Sequence, residues 1–376
     1  MKTGPPEALE HVFERQAHPY HMWDGINSIP AGLEDILAQP AVEAIHEASR
    51  AVQEKSPIHL LGCGTSYFAA GAIALAIQHI AGLPAYAWEA YEFLAYPPVA
   101  LEGSAVIGIS HTGSTPPTVR AAEMARSLGA CTVAYTDAAE SALSRASEWR
   151  VASTLGVEPA LPKTRSYPAT LLRGYLQACE LARLSGKEAS GWEAALSKSP
   201  SLARQVLAGC EAQARELAER WNTRRRIVVS GGGPQHVTAQ EGMLKLTETA
   251  LATSTSWEIE EAVHGTWAST TEDDLVILLA IDGPGYESAA RLAGGMKTIG
   301  CQVWALTDRP WEGHAVDALT ALPAGEPELF MPLYAILPIY QFAYFLALVR
   351  GLSPDAMGMD NPRFFEARLQ MRSTIG

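Results

Sequence analysis

The sequence is poor in charged residues, and the basic ones are in the minority. Only 18% of its 376 residues are charged, and 41 Asp and Glu outnumber 28 Lys and Arg, so the formal net charge is −13. An acidic chain is repelled by nucleic-acid backbones and by anionic membranes, so neither is an expected partner. An anionic small ligand stays possible, because backbone amides and helix N-termini hold phosphate whatever the net charge.

Cysteine is scarce, and no two cysteines have metal-binding or redox spacing. The five cysteines are scattered and never form C-x-x-C, which predicts reduced thiols in a cytoplasmic protein without disulfides or a zinc site. The first ten residues lack the apolar core of a signal sequence. One long apolar run, Met331–Val349, contains Pro332, Pro338 and Gln341, so it predicts a buried helix and not a membrane span.

Apolar runs that lead into glycine- and hydroxyl-rich turns alternate with helical stretches. Ile58–Leu61 leads into Gly62–Ser66, and Ala105–Ile109 leads into Ser110–Thr115. Repeated alternation of strand, turn and helix predicts a doubly wound parallel sheet, the α/β fold class.

The same order returns about 170 residues later, with strands predicted at Arg226–Val229 and Leu275–Ala280. Because the length suits two domains, we expect two tandem three-layer α/β/α domains with helical extensions at both ends. The predicted boundaries are 1–55 for an N-terminal helical extension, 56–190 for the first domain, 191–225 for a helical connection, 226–350 for the second domain and 351–376 for a C-terminal tail near the active site.

Two turns at neighbouring strand ends of the first domain are dense in hydroxyl groups. They are Cys63-Gly64-Thr65-Ser66 and Ser110-His111-Thr112-Gly113-Ser114-Thr115. A phosphate dianion requires hydroxyls and backbone amides at a helix start, and open parallel sheets bind ligands at the carboxyl ends of their strands. Ordinary helix capping and tight glycine turns also explain such sequences, but the density of hydroxyls favours phosphate.

Candidate acid–base residues lie in the second domain. Glu241, Lys245 and Glu248 are spaced i, i+4, i+7 after a glycine-rich turn, so they share one helical face. A solvated salt-bridge face has the same spacing. His264, beside Gly265, is a candidate general acid or base, or else a structural histidine in a turn.

Neither a metal nor a dinucleotide cofactor is expected. No second histidine stands at i+3 or i+4 from His264. The Gly231–Gly233 turn does not match G-x-G-x-x-G followed by an acidic residue.

These motifs together resemble the sugar-isomerase (SIS) family, in particular the isomerase half of glucosamine-6-phosphate synthase and the stand-alone sugar-phosphate deaminases and fructosamine-6-phosphate deglycases. The resemblance runs from roughly His21 to Arg363. Cys63–Ser66 is similar to the family's C-G-T-S, Ser110–Thr115 to S-Q-S-G-E-T, Glu241–Glu248 to E-G-A-L-K-L-K-E, Val263–Gly265 to K-H-G, and Asp360–Arg363 to D-x-P-R. His111 and Ser114 depart from the phosphate-loop motif.

The resemblance implies roles for these residues. Ser110, Thr112 and Thr115, with Ser66 nearby, would bind the 6-phosphate, and Glu248 would shuttle the proton between C1 and C2. His264 would assist ring opening from the neighbouring subunit of a homodimer with shared active sites. Lys245 and Glu241 would contact or polarise the sugar. The predicted substrate-binding set also includes Cys63, Gly64, Thr65, His111, Ser114 and Arg165.

Departures from the synthases indicate a different reaction. No glutaminase domain precedes the SIS half in the sequence. Ala367 stands where the synthases have a lysine after D-x-P-R, and neighbouring Arg368 forms a Schiff base poorly. The stretch 158–167 also differs from the synthases' E-I-G-V-A-S-T-K-A-F, in a loop that the resemblance places at the sugar pocket.

We therefore expect a metal-free enzyme that removes or transfers the amine of a phosphorylated amino sugar or fructosamine, with aldose–ketose isomerisation. The alternatives are a synthase-like aminotransferase without the glutaminase domain, a plain aldose–ketose isomerase, and a non-catalytic sugar-phosphate sensor.

Overall fold

Two all-parallel sheets of five strands each organise the part of the chain that the computed structural model describes, residues 12–313 and 315–373. The prediction about the first ten residues lies outside this part. The strands are β1 (Ile58–Gly62), β2 (Ala85–Glu89), β3 (Ala105–Ile109), β4 (Cys131–Thr136), β5 (Trp149–Ala152), β6 (Ile227–Gly231), β7 (Ser254–Glu258), β8 (Leu275–Leu279), β9 (Gln302–Thr307) and β10 (Ala318–Ala321).

Helices connect successive strands and flank both sheets. They are α1 (His21–Asn27), α2 (Ile29–Leu37), α3 (Gln39–Val52), α4 (Thr65–Ala76), α5 (Ala90–Ala95), α6 (Pro116–Ser127), α7 (Ala142–Ala146), α8 (Ser166–Leu184), α9 (Ser190–Ser197), α10 (Ser199–Trp221), α11 (Pro234–Ala250), α12 (Tyr286–Ile299), α13 (Pro332–Val349) and α14 (Pro362–Ser373). A π-helical turn, Ile77–Ala81, extends α4, and short 3-10 helices lie at Thr266–Ser269 and Glu328–Phe330.

The chain divides into two compact units. The first unit contains residues 28–158 and 165–200, and the second contains residues 12–27, 159–164 and 201–371. The break at residue 200 falls two residues into α10, within the stretch that sequence analysis assigned to a connection.

Both sheets have the same strand order, which confirms the predicted doubly wound α/β class. The order is β2-β1-β3-β4-β5 in the first unit and β7-β6-β8-β9-β10 in the second. In each sheet the chain builds outward in one direction and then crosses to the other side, so the order reverses at β1/β3 and at β6/β8. Loops that follow these strands flank a crevice at the carboxyl edge, where open α/β sheets bind ligands.

Continuous burial explains why the central strands were predictable. Every residue of β1, β3, β6 and β8 is buried, as is usual for parallel strands with helices on both faces. The edge strands β2, β5, β7 and β10 are only partly buried, and polar residues interrupt β5, β7 and β10. Sequence analysis did not predict these four.

The apolar run near the C-terminus forms a buried helix. Among the described residues, one helix, Glu328–Val349, is long and apolar enough to cross a bilayer, and 89% of its apolar window is buried inside the protein. Its side chains pack in the second unit, where Tyr340 contacts Glu241 and the Gln341 amide donates to the Leu207 carbonyl.

Candidate functional site

The loop after β3 closes tightly around a glycine. Gly113 has a positive φ of 61°, and a Cβ there would lie 2.1 Å from Oγ of Ser141. Only glycine combines this backbone conformation with so close an approach. The Gly113 amide donates to the Ser110 carbonyl at 3.0 Å, so the turn folds back on itself and brings its hydroxyl side chains together.

The hydroxyls of this loop bind one another and not the helix that follows. Ser110 Oγ lies 2.9 Å from Thr115 Oγ1, and Thr112 Oγ1 lies 2.8 Å from Ser114 Oγ. Thr115 occupies the N-cap position of α6, yet its side chain makes no capping hydrogen bond. Ordinary helix capping therefore does not account for Thr115, and the loop matches the hydroxyl cluster expected of an oxyanion site.

The loop after β1 lies beside it. Gly64, Thr65 and Ser66 are half-buried, and α4 begins at Thr65. Cys63 Sγ approaches Oγ1 of Thr118, in the first turn of α6, at 4.0 Å. Burial raises the pKa of the Cys63 thiol, so this cysteine is a packing residue and not an activated nucleophile.

His111 does not offer its ring to a ligand. The ring is 9% exposed, its Nδ1 lies 2.6 Å from Oδ2 of Asp137, and its Nε2 lies 3.1 Å from the Glu158 amide nitrogen. Arg173, 1% exposed, binds the other oxygen of Asp137. Burial opposes ionisation of Asp137, but Arg173 and His111 together hold its pKa well below the usual range.

Arg165 belongs to the same buried region of the first unit. Its guanidinium donates to the Gly156 carbonyl at 2.6 Å, and its stem packs against Gly32 of α2. Glu158 accepts the amides of Arg165 and Ser166 at 3.0 and 2.9 Å, which caps the start of α8. Although burial opposes it, the pKa of Glu158 is lowered by the hydrogen bonds from these two backbone amides.

Helix α11 of the second unit carries a buried ion cluster, formed by Glu241, Lys245 and Glu248. Lys245 Nζ lies 2.5 Å from Oε2 of Glu248 and 3.6 Å from Oε1 of Glu241. Glu241 and Lys245 are 0% and 1% exposed, so they do not form a solvated salt-bridge face. Only Glu248, 17% exposed, reaches solvent, which makes it the member able to meet a substrate.

A tyrosine from another helix completes this cluster. Tyr340 of α13 donates a 2.8 Å hydrogen bond to Oε1 of Glu241. A buried carboxylate requires such partners, because an uncompensated buried charge is costly. The sequence offers no signal for this pairing, since 99 residues separate the two side chains.

His264 lies on the surface of the second unit. Its side chain is 66% exposed, and Nε2 lies 3.8 Å from Oε1 of Glu260, which is 61% exposed. His264 follows a turn that Glu258 caps, since the Glu258 carboxylate accepts the amides of Glu260 and Glu261. The imidazole is accessible to a molecule outside its own unit.

The crevice of the second unit has carboxylates where the first has hydroxyls. Asp282 follows β8, its amide donates to Oδ1 of Asp308 at 2.8 Å, and its side chain pairs with Arg309 at 2.9 Å. A Cβ at Gly283 would lie 2.5 Å from the carboxyl group of Glu328. Burial, reinforced by the neighbouring acids, raises the pKa of Glu328 and of Asp308.

The C-terminal motif leads into α14. The Arg363 amide donates to Oδ1 of Asn361 at 3.1 Å, and Arg368 contacts the Met357 sulfur. Ala367 is exposed on this helix. Within residues 12–313 and 315–373, no group of three or more His, Cys, Asp or Glu is arranged to hold a metal ion.

Comparison with known families agrees with the two repeated sheets. The SIS domain family matches residues 52–178 and 222–349, which together make up more than half of the chain. The chain belongs to the SIS family. Each match contains one of the two sheets, so the sheets are two SIS repeats, and the predicted resemblance is confirmed.

Similar SIS proteins include glutamine–fructose-6-phosphate aminotransferases of the isomerising type. Those of Gloeobacter violaceus and Pyrobaculum aerophilum are 26% and 28% identical over 356 and 342 residues. These matches cover 92% and 90% of this chain but only 58% and 56% of those proteins. The chain thus spans a little more than half the length of these relatives.

Solved SIS structures have the same fold at low sequence identity. The C-terminal domain of glucosamine-fructose-6-phosphate aminotransferase from Francisella tularensis gives a TM-score of 0.82 at 18% identity, covering 91% of this chain and 99% of that one. Tagatose-6-phosphate ketose/aldose isomerase from Escherichia coli gives 0.76 at 16% identity, covering 92% and 96%. Glucosamine-6-phosphate deaminase from Thermotoga maritima gives 0.69 at 19% identity, covering 89% and 95%.

The candidate residues therefore fall into two groups, one in each SIS repeat. The hydroxyl loop and the α11 cluster were predicted from the sequence, and they stay predictions as functional sites. Their neighbours Asp137, Arg173 and Tyr340 were not predicted. A signal for Asp137 exists, because β4 and β9 each end in threonine followed by aspartate, at Asp137 and Asp308. Arg173 and Tyr340 lie inside helices with no motif of their own.

Proposed function

We propose that this SIS protein removes the amine from a phosphorylated amino sugar or fructosamine through aldose–ketose isomerisation. The observation that carries the proposal is the buried Glu241–Lys245–Glu248 cluster. Binding alone requires only the hydroxyl loop, whereas two carboxylates held by one buried lysine are costly unless their charges have a use. The cluster thus favours an enzyme over a sensor.

The hydroxyl loop of the first repeat is the proposed phosphate site. Ser110, Thr112 and Thr115, with Ser66 on the neighbouring loop, would donate their hydroxyl protons to the phosphate oxygens. The hydroxyls now bond to one another at 2.8–2.9 Å, and a phosphate would exchange those bonds for stronger charge-assisted ones.

Glu248 is the proposed proton carrier. As general base it would take the proton from one of the two carbons C1 and C2, leaving an enol or enamine, and then return it to the other. Lys245, whose Nζ lies 2.5 Å from Oε2 of Glu248, keeps this carboxylate oriented. His264 would open the sugar ring by moving a proton between the ring oxygen and the C1 or C2 hydroxyl.

Release of the amine requires only water after this step. Moving the proton converts the C–NHR group into an imine, C=NR. Water adds to the imine carbon, the C–N bond breaks, and the amine leaves with a proton while a carbonyl forms. Ala367 in place of the synthases' lysine supports this direction, because the chain then has no Schiff-base lysine at that position for bringing nitrogen to a ketose.

The exposure of His264 supports the rest of the proposal. An accessible imidazole suits a histidine that serves a neighbouring subunit, so we propose a homodimer with shared active sites. The five cysteines are free thiols, which fits the proposed cytoplasmic location.

The test is an ammonia- and amine-release assay on the full chain. The panel contains glucosamine 6-phosphate, a glucose-derived fructosamine 6-phosphate, and the plain 6-phosphates of fructose and tagatose. Glu248→Gln should lower kcat about 10²–10⁴-fold, the usual contribution of general acid–base catalysis, and should still bind the substrate. Glu219→Gln, an exposed acid of α10, is the matched control and should keep wild-type activity.

Three outcomes would refute parts of the proposal. Full activity of Glu248→Gln would remove Glu248 from the mechanism. Turnover of the plain sugar phosphates alone would replace the deaminase with an isomerase. Binding of the panel without turnover would establish a sensor.

A further inference from the structure

The ring of His111 is held from both sides inside the first repeat. The Glu158 backbone N–H can only donate, so Nε2 of His111 must accept it at 3.1 Å. The ring proton then lies on Nδ1 and is donated to Asp137 at 2.6 Å. One neutral tautomer satisfies both contacts, and neither ring nitrogen is left for a ligand.

These contacts connect the hydroxyl loop to two other segments of the repeat. The His111 carbonyl accepts the Asp137 amide at 2.9 Å and the Thr136 hydroxyl at 3.2 Å. The end of β4 and the residue after it thus hold both the backbone and the ring of His111. Glu158 lies on the segment that leads into α8 and binds the first amides of that helix. Arg173, further along α8, anchors Asp137 from its other side.

We propose that His111 is a positioning residue for phosphate binding, which fixes the backbone of the loop that carries Ser110, Thr112 and Thr115. This rests on the proposed function of that loop. Hydroxyls that are already in place lose little conformational entropy when an anion binds. By fixing the loop, His111 therefore raises the affinity for phosphate, although its own side chain does not contact the phosphate. Sequence analysis placed His111 in the substrate-binding set, and the proposed role acts through its neighbours instead.

The test compares two substitutions of similar size in the full chain. In His111→Gln, the amide can donate to Asp137 and accept from Glu158. In His111→Leu, both hydrogen bonds are lost. Dissociation constants for inorganic phosphate and for glucosamine 6-phosphate are measured by calorimetry, with the melting temperature and the binding stoichiometry of each variant.

The leucine variant should bind both ligands at least tenfold more weakly than the wild type, and the glutamine variant within about threefold of it. A merely structural role would lower the melting temperature of His111→Leu and leave the dissociation constants of its folded fraction unchanged, and that result would overturn the proposal. If the wild type itself binds neither ligand, the proposed phosphate site is wrong, and the role of His111 falls with it.

A measurement on the wild type covers the case in which His111→Leu does not fold. In ¹⁵N spectra of histidine-labelled protein, the His111 signal, assigned through His111→Gln, should show a protonated Nδ1 and an unprotonated Nε2. Saturating phosphate should leave both shifts unchanged. A large shift of either nitrogen on addition of phosphate would mean direct contact and would refute the positioning role.

Discussion

The two SIS repeats have one strand order but opposite chemistry at the edge where ligands bind. In the first repeat the loop after β3 presents hydroxyls, and the nearest acid, Asp137, is ion-paired with Arg173 and accepts a hydrogen bond from His111. In the second repeat the corresponding loop brings Asp282 close to Asp308 and Glu328. The two repeats thus share a scaffold, and the proposed anion site lies in the crevice that presents hydroxyls and not in the one that presents carboxylates.

The buried acid Asp137 of the first repeat should be essential for stability, whereas the exposed acid Asp282, which follows β8 in the second repeat, should not. Asp137→Asn leaves a buried arginine without its charge partner, and we expect a loss of about 3–5 kcal/mol in unfolding free energy. Asp282→Asn breaks an ion pair whose members are 63% and 34% exposed, and a loss below about 1 kcal/mol is expected. Urea denaturation measures both, and equal losses would contradict the contrast.

Substitution of a loop glycine should also cost more stability in the first repeat, at Gly113, than in the second, at Gly283. Alanine at Gly113 must adopt a positive φ and meets Cβ of Ser141 at 2.2 Å, an atom that cannot move away without its backbone. We expect a loss of about 2–4 kcal/mol, the sum of backbone strain and overpacking. Gly283→Ala also has a positive φ, 159°, but it meets only the movable carboxyl end of Glu328, so its loss of stability should be smaller than that of Gly113→Ala.

The second repeat holds its own buried carboxylate through Tyr340 rather than through arginine. Tyr340→Phe removes one hydrogen bond to Glu241, worth about 1.5–3 kcal/mol when the acceptor is charged. Because Glu241 shares Lys245 with Glu248, kcat should fall about tenfold, which corresponds to ~1.4 kcal/mol of activation free energy.

Tyr344→Phe is the matched control for this change. Tyr344 lies on the same helix, and its hydroxyl contacts His18 and the Tyr20 amide instead of Glu241. The variant therefore loses hydrogen bonds that do not involve the α11 cluster. It should lose stability and keep its kcat. Equal effects of the two variants on kcat would remove Tyr340 from the site.

The smallest effect concerns the sign of the pH dependence. The raised pKa of Glu328 means that its contribution to stability is present at low pH and is lost as the pH rises through the folded-state value. Glu328→Gln should therefore be more stable than the wild type at pH 7, by an amount that disappears below about pH 4.

The first repeat should give the opposite sign. The lowered pKa of Asp137 contributes stability above the unfolded-state value, and this is lost as the pH falls towards the folded-state value. The deficit of Asp137→Asn should then shrink below about pH 4. Unfolding free energies of both variants and of the wild type, measured at pH 3–7, test both predictions. If the stability differences of the two variants from the wild type had the same sign at pH 7, the electrostatic contrast between the repeats would be refuted.

The features that were predicted from the sequence are those that a short stretch of the chain determines by itself. The buried central strands, the hydroxyl loop and the shared face of Glu241, Lys245 and Glu248 are each encoded within fewer than ten residues. The edge strands were missed because they are partly exposed, and polar residues interrupt β5, β7 and β10. The contacts of His111 were not predicted, because its partners Asp137 and Glu158 lie 26 and 47 residues away and only the fold brings them together.

The path of the chain through its two units also constrains how the protein is made. Helix α1 belongs to the second unit, where Asp355 accepts the amides of His21 and Met22, and the Tyr344 hydroxyl accepts the Tyr20 amide. Residues 28–200 lie between α1 and the body of that unit. During synthesis on the ribosome, the first repeat can therefore fold before α1 has its partners. Helix α1 can pack against the second unit only after Tyr344 and Asp355 have emerged, when nearly the whole chain has been made.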